Sequence, residues 1–253
     1  AHLQLGVERK NGEILHMHKL LEQNRLRINE ELASYELRKH FSPAAFAHNT
    51  VTVNALCNHL HGKLIDIGCG DMPFRSLTER YITQYDSIDI ERRVSDVKYV
   101  GDVQKMDMIE NDSYDSALCL EVLEHVKYPE KAVSEINRIL KNGGKLVCSV
   151  PHLSRLHEEP NDYYRFTKYG LMHLFEDSGF NVINIEPRGG IFCFLGHQIS
   201  TLVLGVVWHI PVLKGIAFWL NRWVFVKFIY NLDKLFDKKK LFALGYTCVV
   251  EKK

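Results

Sequence analysis

No C-x-x-C pair occurs among the six cysteines, Cys57, Cys69, Cys119, Cys148, Cys193 and Cys248. Several sit inside apolar, strand-like runs, where cysteine acts as a small hydrophobe, so a reducing, cytoplasmic compartment is expected. Charge of one sign is missing too: 32 Lys/Arg meet 31 Asp/Glu. A dedicated nucleic-acid binder carries a strongly basic face, so no nucleic-acid partner is expected. Internal repeats are absent, and 46% apolar with 25% charged residues excludes a disordered or collagen-like chain. Residues 1–13 contain no apolar run, and no secretory leader is expected in them. What is present is 253 residues, enough for one α/β domain with an appendage. The charge is uneven: from Lys214 onward there are nine Lys/Arg against three Asp/Glu, a surplus of six, leaving minus five for the rest.

Residues 14 to about 40 mix Leu, Ile and Tyr with charges at helical spacing, so one or two helices are expected to end near Ser42-Pro43. Another is expected over Thr50–Leu60. Short apolar runs at Leu64–Gly68, Ser87–Ile90, Ser116–Leu120, Lys145–Val150 and Asn181–Ile185 read as strands, with Gly245–Val250 as the last. Between them, Pro129–Leu140 carries a helical stripe that stops at Asn142-Gly143-Gly144, and Thr167 caps a helix ended by Gly179. Strands alternating with helices predict a mostly parallel, Rossmann-like α/β sheet with helices on both faces.

The run KLIDIGCGDMPF (Lys63–Phe74) places Gly68-Cys69-Gly70 at a strand's carboxyl end, where backbone N–H groups can approach a ligand. The third glycine of a dinucleotide fingerprint is absent, position 73 being Pro. The next strand ends at Asp89, whose carboxylate can accept from both hydroxyls of a ribose. Asp102, after a third extended segment, can accept from an adenine amino group.

In order, IDIGCG, IDIE, GDVQKMD, NDSYDSALCLEVLEHV and EINRILKNGGKLVCSVP span Leu64–Pro151. This set resembles the class I S-adenosylmethionine-dependent methyltransferases. The resemblance implies a seven-stranded sheet whose last strand is antiparallel and inserts beside its two predecessors. It implies S-adenosylmethionine as cofactor, Gly68 and Gly70 beneath its methionine part, and Asp66 holding its amino group through the loop. Asp89 would bind the ribose, Asp102 the adenine, and Leu120 would line the pocket. The chain departs from the family at Met72-Pro73, where a further glycine is common.

In LEVLEHV, Glu121, Glu124 and His125 fall at i, i+3, i+4, one face of a helical turn. Two carboxylates and an imidazole so placed can hold a divalent cation (Mg, Mn or Zn), with Asp162 or His157 as a fourth ligand. The cluster is similar to that of the ubiquinone-biosynthesis O-methyltransferases and the plant small-RNA 2′-O-methyltransferase, whose metal gathers hydroxyls and lowers a pKa. The alternative is a histidine that only hydrogen-bonds within the turn. The polar, aromatic segment Pro151–Leu171 leaves the same sheet edge and is long for a connection, which favours a substrate-facing role over a capping one. It offers His157, with His152 behind it, as the group that takes a proton from an acceptor hydroxyl. This segment is similar to uncharacterised prokaryotic methyltransferases associated with cell-surface glycan synthesis.

From Gly189 to Leu213, 25 residues contain no Asp, Glu, Lys or Arg, long enough for a membrane span on hydropathy alone. Yet one span would strand the last β-strand across the bilayer from its sheet. The stretch therefore reads as an apolar helical insertion over 191–240. It divides helices (1–62) and the methyltransferase core (63–190) from the last strand (241–253). Trp208, Trp219 and Trp223 with Lys227, Lys234 and Lys238 favour a membrane surface, peripheral on the inner face. A lid or homodimer contact is the alternative. The expected activity is methyl transfer to an oxygen of a lipid-linked or amphipathic acceptor, glycan or quinone-like. Its rivals are a soluble small-molecule or sugar methyltransferase and a non-catalytic subunit of the same fold.

Overall fold

The computed structural model describes residues 19–32 and 34–253. The expectation for residues 1–13, and that of a helix from residue 14 as far as it concerns 14–18, lie outside these. A helix α1 covers residues 19–31, followed by a single turn α2 (Tyr35–Arg38) and the long α3 (Pro43–His59). The N-terminal helices end just before Ser42-Pro43, as expected, while the next helix starts at Pro43 and not at the expected Thr50. Ser42 is the N-cap, its Oγ accepting from Ala45 N at 3.2 Å, and Pro43 takes the first helical position, where its missing N–H costs nothing.

Seven strands then form one sheet in the order β3-β2-β1-β4-β5-β7-β6. They are β1 (Lys63–Ile67), β2 (Gln84–Asp89), β3 (Tyr99–Val100), β4 (Tyr114–Leu120), β5 (Leu140–Pro151), β6 (Phe180–Arg188) and β7 (Gly245–Lys252). Pairing is parallel except that β7 runs antiparallel to both β5 and β6. The expected seven-stranded, mostly parallel α/β sheet is therefore the fold.

Period-two alternation divides each central strand between two cores. Leu64, Leu118, Val147 and Val249 face Ala55, Leu56 and Leu60 of α3 and Leu77 of the short α4 (Arg75–Thr78). Ile65, Ala117, Cys119, Leu146 and Cys148 face the opposite core, with α5 (Pro129–Ile139) and α6 (Lys168–Asp177). The α5 stripe of Ala132, Val133, Ile136 and Ile139 is fully buried there; each large aliphatic is worth about 1.5–3 kcal/mol. All six cysteines are free thiols.

Between β6 and β7 come α7 (Ile191–Val207), α8 (Pro211–Leu220), a π-helical turn (Asn221–Phe225) and α9 (Val226–Phe236). None of the helices among the described residues is long and apolar enough to cross a membrane. The N-terminus of α7 is held by two carboxylates arriving from α9. Asp233 Oδ1 accepts from Phe192 N and Cys193 N, and Asp237 Oδ2 from Ile191 N. One tryptophan leaves the surface role expected for it: Trp208 is buried with Ile28, Leu32 and Leu204, its Nε1 donating to Glu31.

Candidate active site

The carboxyl ends of β1, β2, β4 and β5 share one edge, and the residues expected to bind the cofactor lie at or near it. After β1, Gly68 and Gly70 both take left-handed backbone, φ 66° and 50°. A Cβ on Gly68 would strike Val122, so the glycine turn packs directly on the segment following β4; a Cβ on Gly70 would meet open space. Met72, where the third glycine is missing, is itself left-handed at φ 53°, so a side chain tolerates the geometry that glycine would supply freely. Its thioether is buried beside Cys69 and Val97.

Asp89 ends β2 and accepts from Gly70 N at 2.8 Å through Oδ2, which ties the turn to the acidic strand end. Asp66 is buried and accepts from Tyr85 Oη at 2.5 Å; burial pushes it up to about 6 despite that bond. Asp102 lies on an exposed turn, where Gln104 donates to both its oxygens. Leu120, last in β4, packs half-buried on the α3 core. The structure also exposes Ile90, directly after Asp89. Its signal in the sequence is an apolar residue where the strand should already have turned polar. S-adenosylmethionine fits these residues: an unobstructed glycine turn, a buried strand-end carboxylate beside it, and an apolar face at Ile90.

The expected helical face over Glu121–His125 does not form. Glu121 sits in left-handed backbone at φ 55°, and only Leu123–His125 make a 3₁₀ turn. Glu121 therefore turns away to its own partners. Its Oε1 accepts from Ser149 Oγ at 2.8 Å and pairs with Arg188 Nη1 at 2.7 Å. Arg188 also reaches His48 and donates to Val150 O at 2.5 Å. Burial opposes both charges of this pair, raising Glu121 and lowering Arg188. Gly245 is required here, since a Cβ would meet Arg188 and the Val150 carbonyl.

Glu124, His125 and His157 converge instead, with one donor atom from each inside 4.8 Å of the others. Glu124 Oε1 is 3.7 Å from His125 Nε2 and 3.9 Å from His157 Nε2. His125 Nδ1 lies 2.7 Å from Asn161 O, and His157 Nδ1 lies 3.2 Å from Arg155 O. Nδ1–H tautomers satisfy both carbonyls and leave both Nε2 lone pairs aimed at the cluster. The Glu124 side chain is wholly buried, and neither carboxylate oxygen has a hydrogen-bond partner among the described residues. Burial, reinforced by Glu121, pushes it up to about 10.

Asp162, the expected fourth ligand, is engaged elsewhere. Arg165 grips it with bonds of 2.6 and 2.7 Å, and it accepts from His157 N at 3.0 Å. The Arg165 guanidinium holds it well below the usual carboxylate range. Its task is to fix the loop that carries His157. That loop is also laced to the turn, Tyr163 N and Tyr164 N both donating to Glu124 O. His152 lies apart, its ring against Tyr246 and its N–H donating to Leu244 O.

A family model described as a methyltransferase domain matches residues 24–185, more than half of the chain. The uncharacterized protein MJ0638 of Methanocaldococcus jannaschii is 35% identical over 126 residues, 47% of this chain and 55% of that one. The chain thus spans about half the length of the curated relative it matches. A S-adenosylmethionine-dependent methyltransferase from Archaeoglobus fulgidus superposes at a TM-score of 0.56 and 16% identity, covering 90% of this chain and 99% of the other. One from Mesorhizobium loti gives 0.51 and 15%, covering 81% and 97%. The [4+2]-cyclase SpnF gives 0.54 and 14%, covering 82% and 80%. At such identities these likenesses show the fold. With the family model over the core, the chain belongs to the methyltransferase-domain family, and its fold is that of the class I S-adenosylmethionine-dependent methyltransferases.

Proposed function

We propose that the protein transfers the methyl group of S-adenosylmethionine to a hydroxyl of a lipid-linked or amphipathic acceptor, a glycan or quinone-like ring. The observation that carries this reading is the convergence of Glu124, His125 and His157 beside the glycine turn, which Val122 joins to Gly68. Bound S-adenosylmethionine supplies an electrophilic methyl on a sulfonium, so the chain needs to add placement and a proton acceptor. Asp89, fixed by Gly70 N, would hold the ribose. His157 would take the hydroxyl proton on Nε2, with its Nδ1–H kept on the Arg155 carbonyl and Asp162 beside it to stabilise the imidazolium. The apolar helices α7–α9, joined to this edge through Arg188, favour an acceptor with a lipidic part.

One observation favours a metal-assisted version. The buried Glu124 carboxylate has no hydrogen-bond partner among the described residues, and two imidazole nitrogens face it. A carboxylate so placed is costly unless something compensates it. These three donors suit zinc better than magnesium, which prefers all-oxygen ligands. A cation held there supplies Lewis-acid polarisation of the acceptor hydroxyl.

The test is transfer of labelled methyl from S-adenosylmethionine into total lipid and aqueous extracts. Label in the lipid fraction, lost about 10²-fold or more in His157→Ala with S-adenosylhomocysteine binding kept, is the expected result. Label confined to water-soluble products would replace the lipidic acceptor with a small metabolite or sugar. Full turnover in chelator would remove the metal. No binding of S-adenosylhomocysteine would leave a non-catalytic subunit.

A further inference from the structure

We propose that α7, α8 and α9 form a docking face for an anionic bilayer surface. The first observation is that α7 is built inside out. Its buried side is lined by Cys193, Gly196 and Ser200, small residues that let it approach its neighbours closely, with Leu204 near its end the one large side chain among them. At Gly196 a Cβ would meet Ile229 of α9 and Pro43 of α3 at under 3 Å. Its large residues Leu195, Ile199, Leu202, Val203 and Val206 recur at i, i+4, i+7, i+8 and i+11, one stripe, and all are exposed. A helix packed against a globular core shows the reverse arrangement.

The neighbouring helix repeats the pattern. No residue of α8 is buried, although Val212, Ile216 and Trp219 are on it, each more than half exposed. Trp223, Phe228 and Phe236 continue the apolar surface through the π turn and α9. Monomeric proteins rarely leave so much contiguous helix apolar and open.

Charge selects the occupant. Residues 191–240 hold seven Lys/Arg and two Asp/Glu. Both acids, Asp233 and Asp237, are turned inward onto the N-terminus of α7. Lys240 is paired with Asp233 and Lys214 with Glu31. Lys227, Lys234, Lys238 and Lys239 are exposed and have no acidic partner among the described residues. Lys227 lies 4.6 Å from the Trp223 ring and Lys234 4.8 Å from that of Tyr230. Aromatic rings with lysines at the margin of an apolar surface match the headgroup boundary of a bilayer. A second copy of this chain fits worse, because a two-fold contact would bring together two faces whose unpaired charges are all basic. None of the described helices is long and apolar enough to cross a membrane, so the face would lie along the surface.

Flotation of the full chain with phosphatidylcholine vesicles, with and without phosphatidylglycerol, tests this without any reliance on methyl transfer. The expected result is flotation with the anionic vesicles, weakened by salt. Replacing Lys234, Lys238 and Lys239 by Gln should weaken it roughly fivefold per lysine. Val212→Asp/Ile216→Asp should stay at the bottom, with S-adenosylhomocysteine binding reporting that both variants fold. Wild-type protein that stays at the bottom with all vesicles overturns the proposal. So does flotation with neutral vesicles of equal strength, or a stable dimer that the Val212→Asp/Ile216→Asp variant turns into a monomer.

Discussion

At Asp89 one carboxylate oxygen already accepts the Gly70 amide hydrogen, so the side chain both shapes the turn and leaves its second oxygen for a ligand. Asp89→Ala removes both, and S-adenosylhomocysteine affinity should fall about 10- to 100-fold by calorimetry, the range for a charged hydrogen-bond partner. Unchanged affinity would remove the ribose role. Glu124 carries a different kind of prediction. Its folded value, pushed up to about 10 by burial and by Glu121, lies above the ordinary 4.5. The folded state therefore keeps a proton that the unfolded chain releases. Stability from this group is full below about pH 4.5 and is lost as pH rises toward 10. Glu124→Gln, isosteric and uncharged, should be more stable than wild type by about 2–4 kcal/mol at pH 8 in chelator, and close to it at pH 5. Urea denaturation at both pH values reads this; an equal difference at each would sink it. Added zinc should close the gap from the wild-type side if the cluster binds metal.

At the scale of elements, Asp233 is the residue on which the insertion depends. It is wholly buried, accepts two backbone N–H groups of α7 and is the partner of Lys240. Asp233→Ala leaves those donors and a partly buried ammonium uncompensated, which should cost about 3 kcal/mol in chemical denaturation. Limited proteolysis should then cut first within 191–240, with S-adenosylhomocysteine binding retained. None of this was legible in the sequence, where nothing sets Asp233 apart from the other charges of the segment. Helix spacing tells which residues share a face, and it cannot tell that a carboxylate will meet the end of another helix forty residues earlier. The start of α3 at Pro43, not at the expected Thr50, escaped for a related reason: Ser42-Pro43 marks a helix boundary but not that helices lie on both sides of it. The strands were legible because buried parallel strands are short apolar runs between glycines and acids. Thr167 and Gly179 were legible because caps act locally, and both hold α6 as expected. The metal-type cluster was half legible. Glu124 and His125 sit together in sequence, whereas Glu121 turns away in left-handed backbone to Ser149 and Arg188, and the arrival of His157 depends on the Asp162–Arg165 contact in its loop.

For the whole molecule, the register of the last two strands decides how far the insertion is separable from the sheet. Arg188 at the end of β6 pairs directly with Gly245 at the start of β7, and Leu244 N donates to Arg188 O. The chain leaves and re-enters the sheet at neighbouring points, so helices 191–240 are a long excursion from what is geometrically a hairpin. The central strands draw their cores from α3 through α6, not from α7–α9. Replacing residues 190–243 by a short Asn-Gly turn should therefore leave a cooperative domain that binds S-adenosylhomocysteine within a few-fold of the full chain. It uncovers apolar surface of α3, which packs on α7 at Gly196, so a lower melting temperature is expected together with retained binding. Vesicle flotation should disappear in the same molecule. Loss of cooperative folding would mean that the insertion is part of the core, and that the membrane face and the methyl-transfer edge cannot be taken apart.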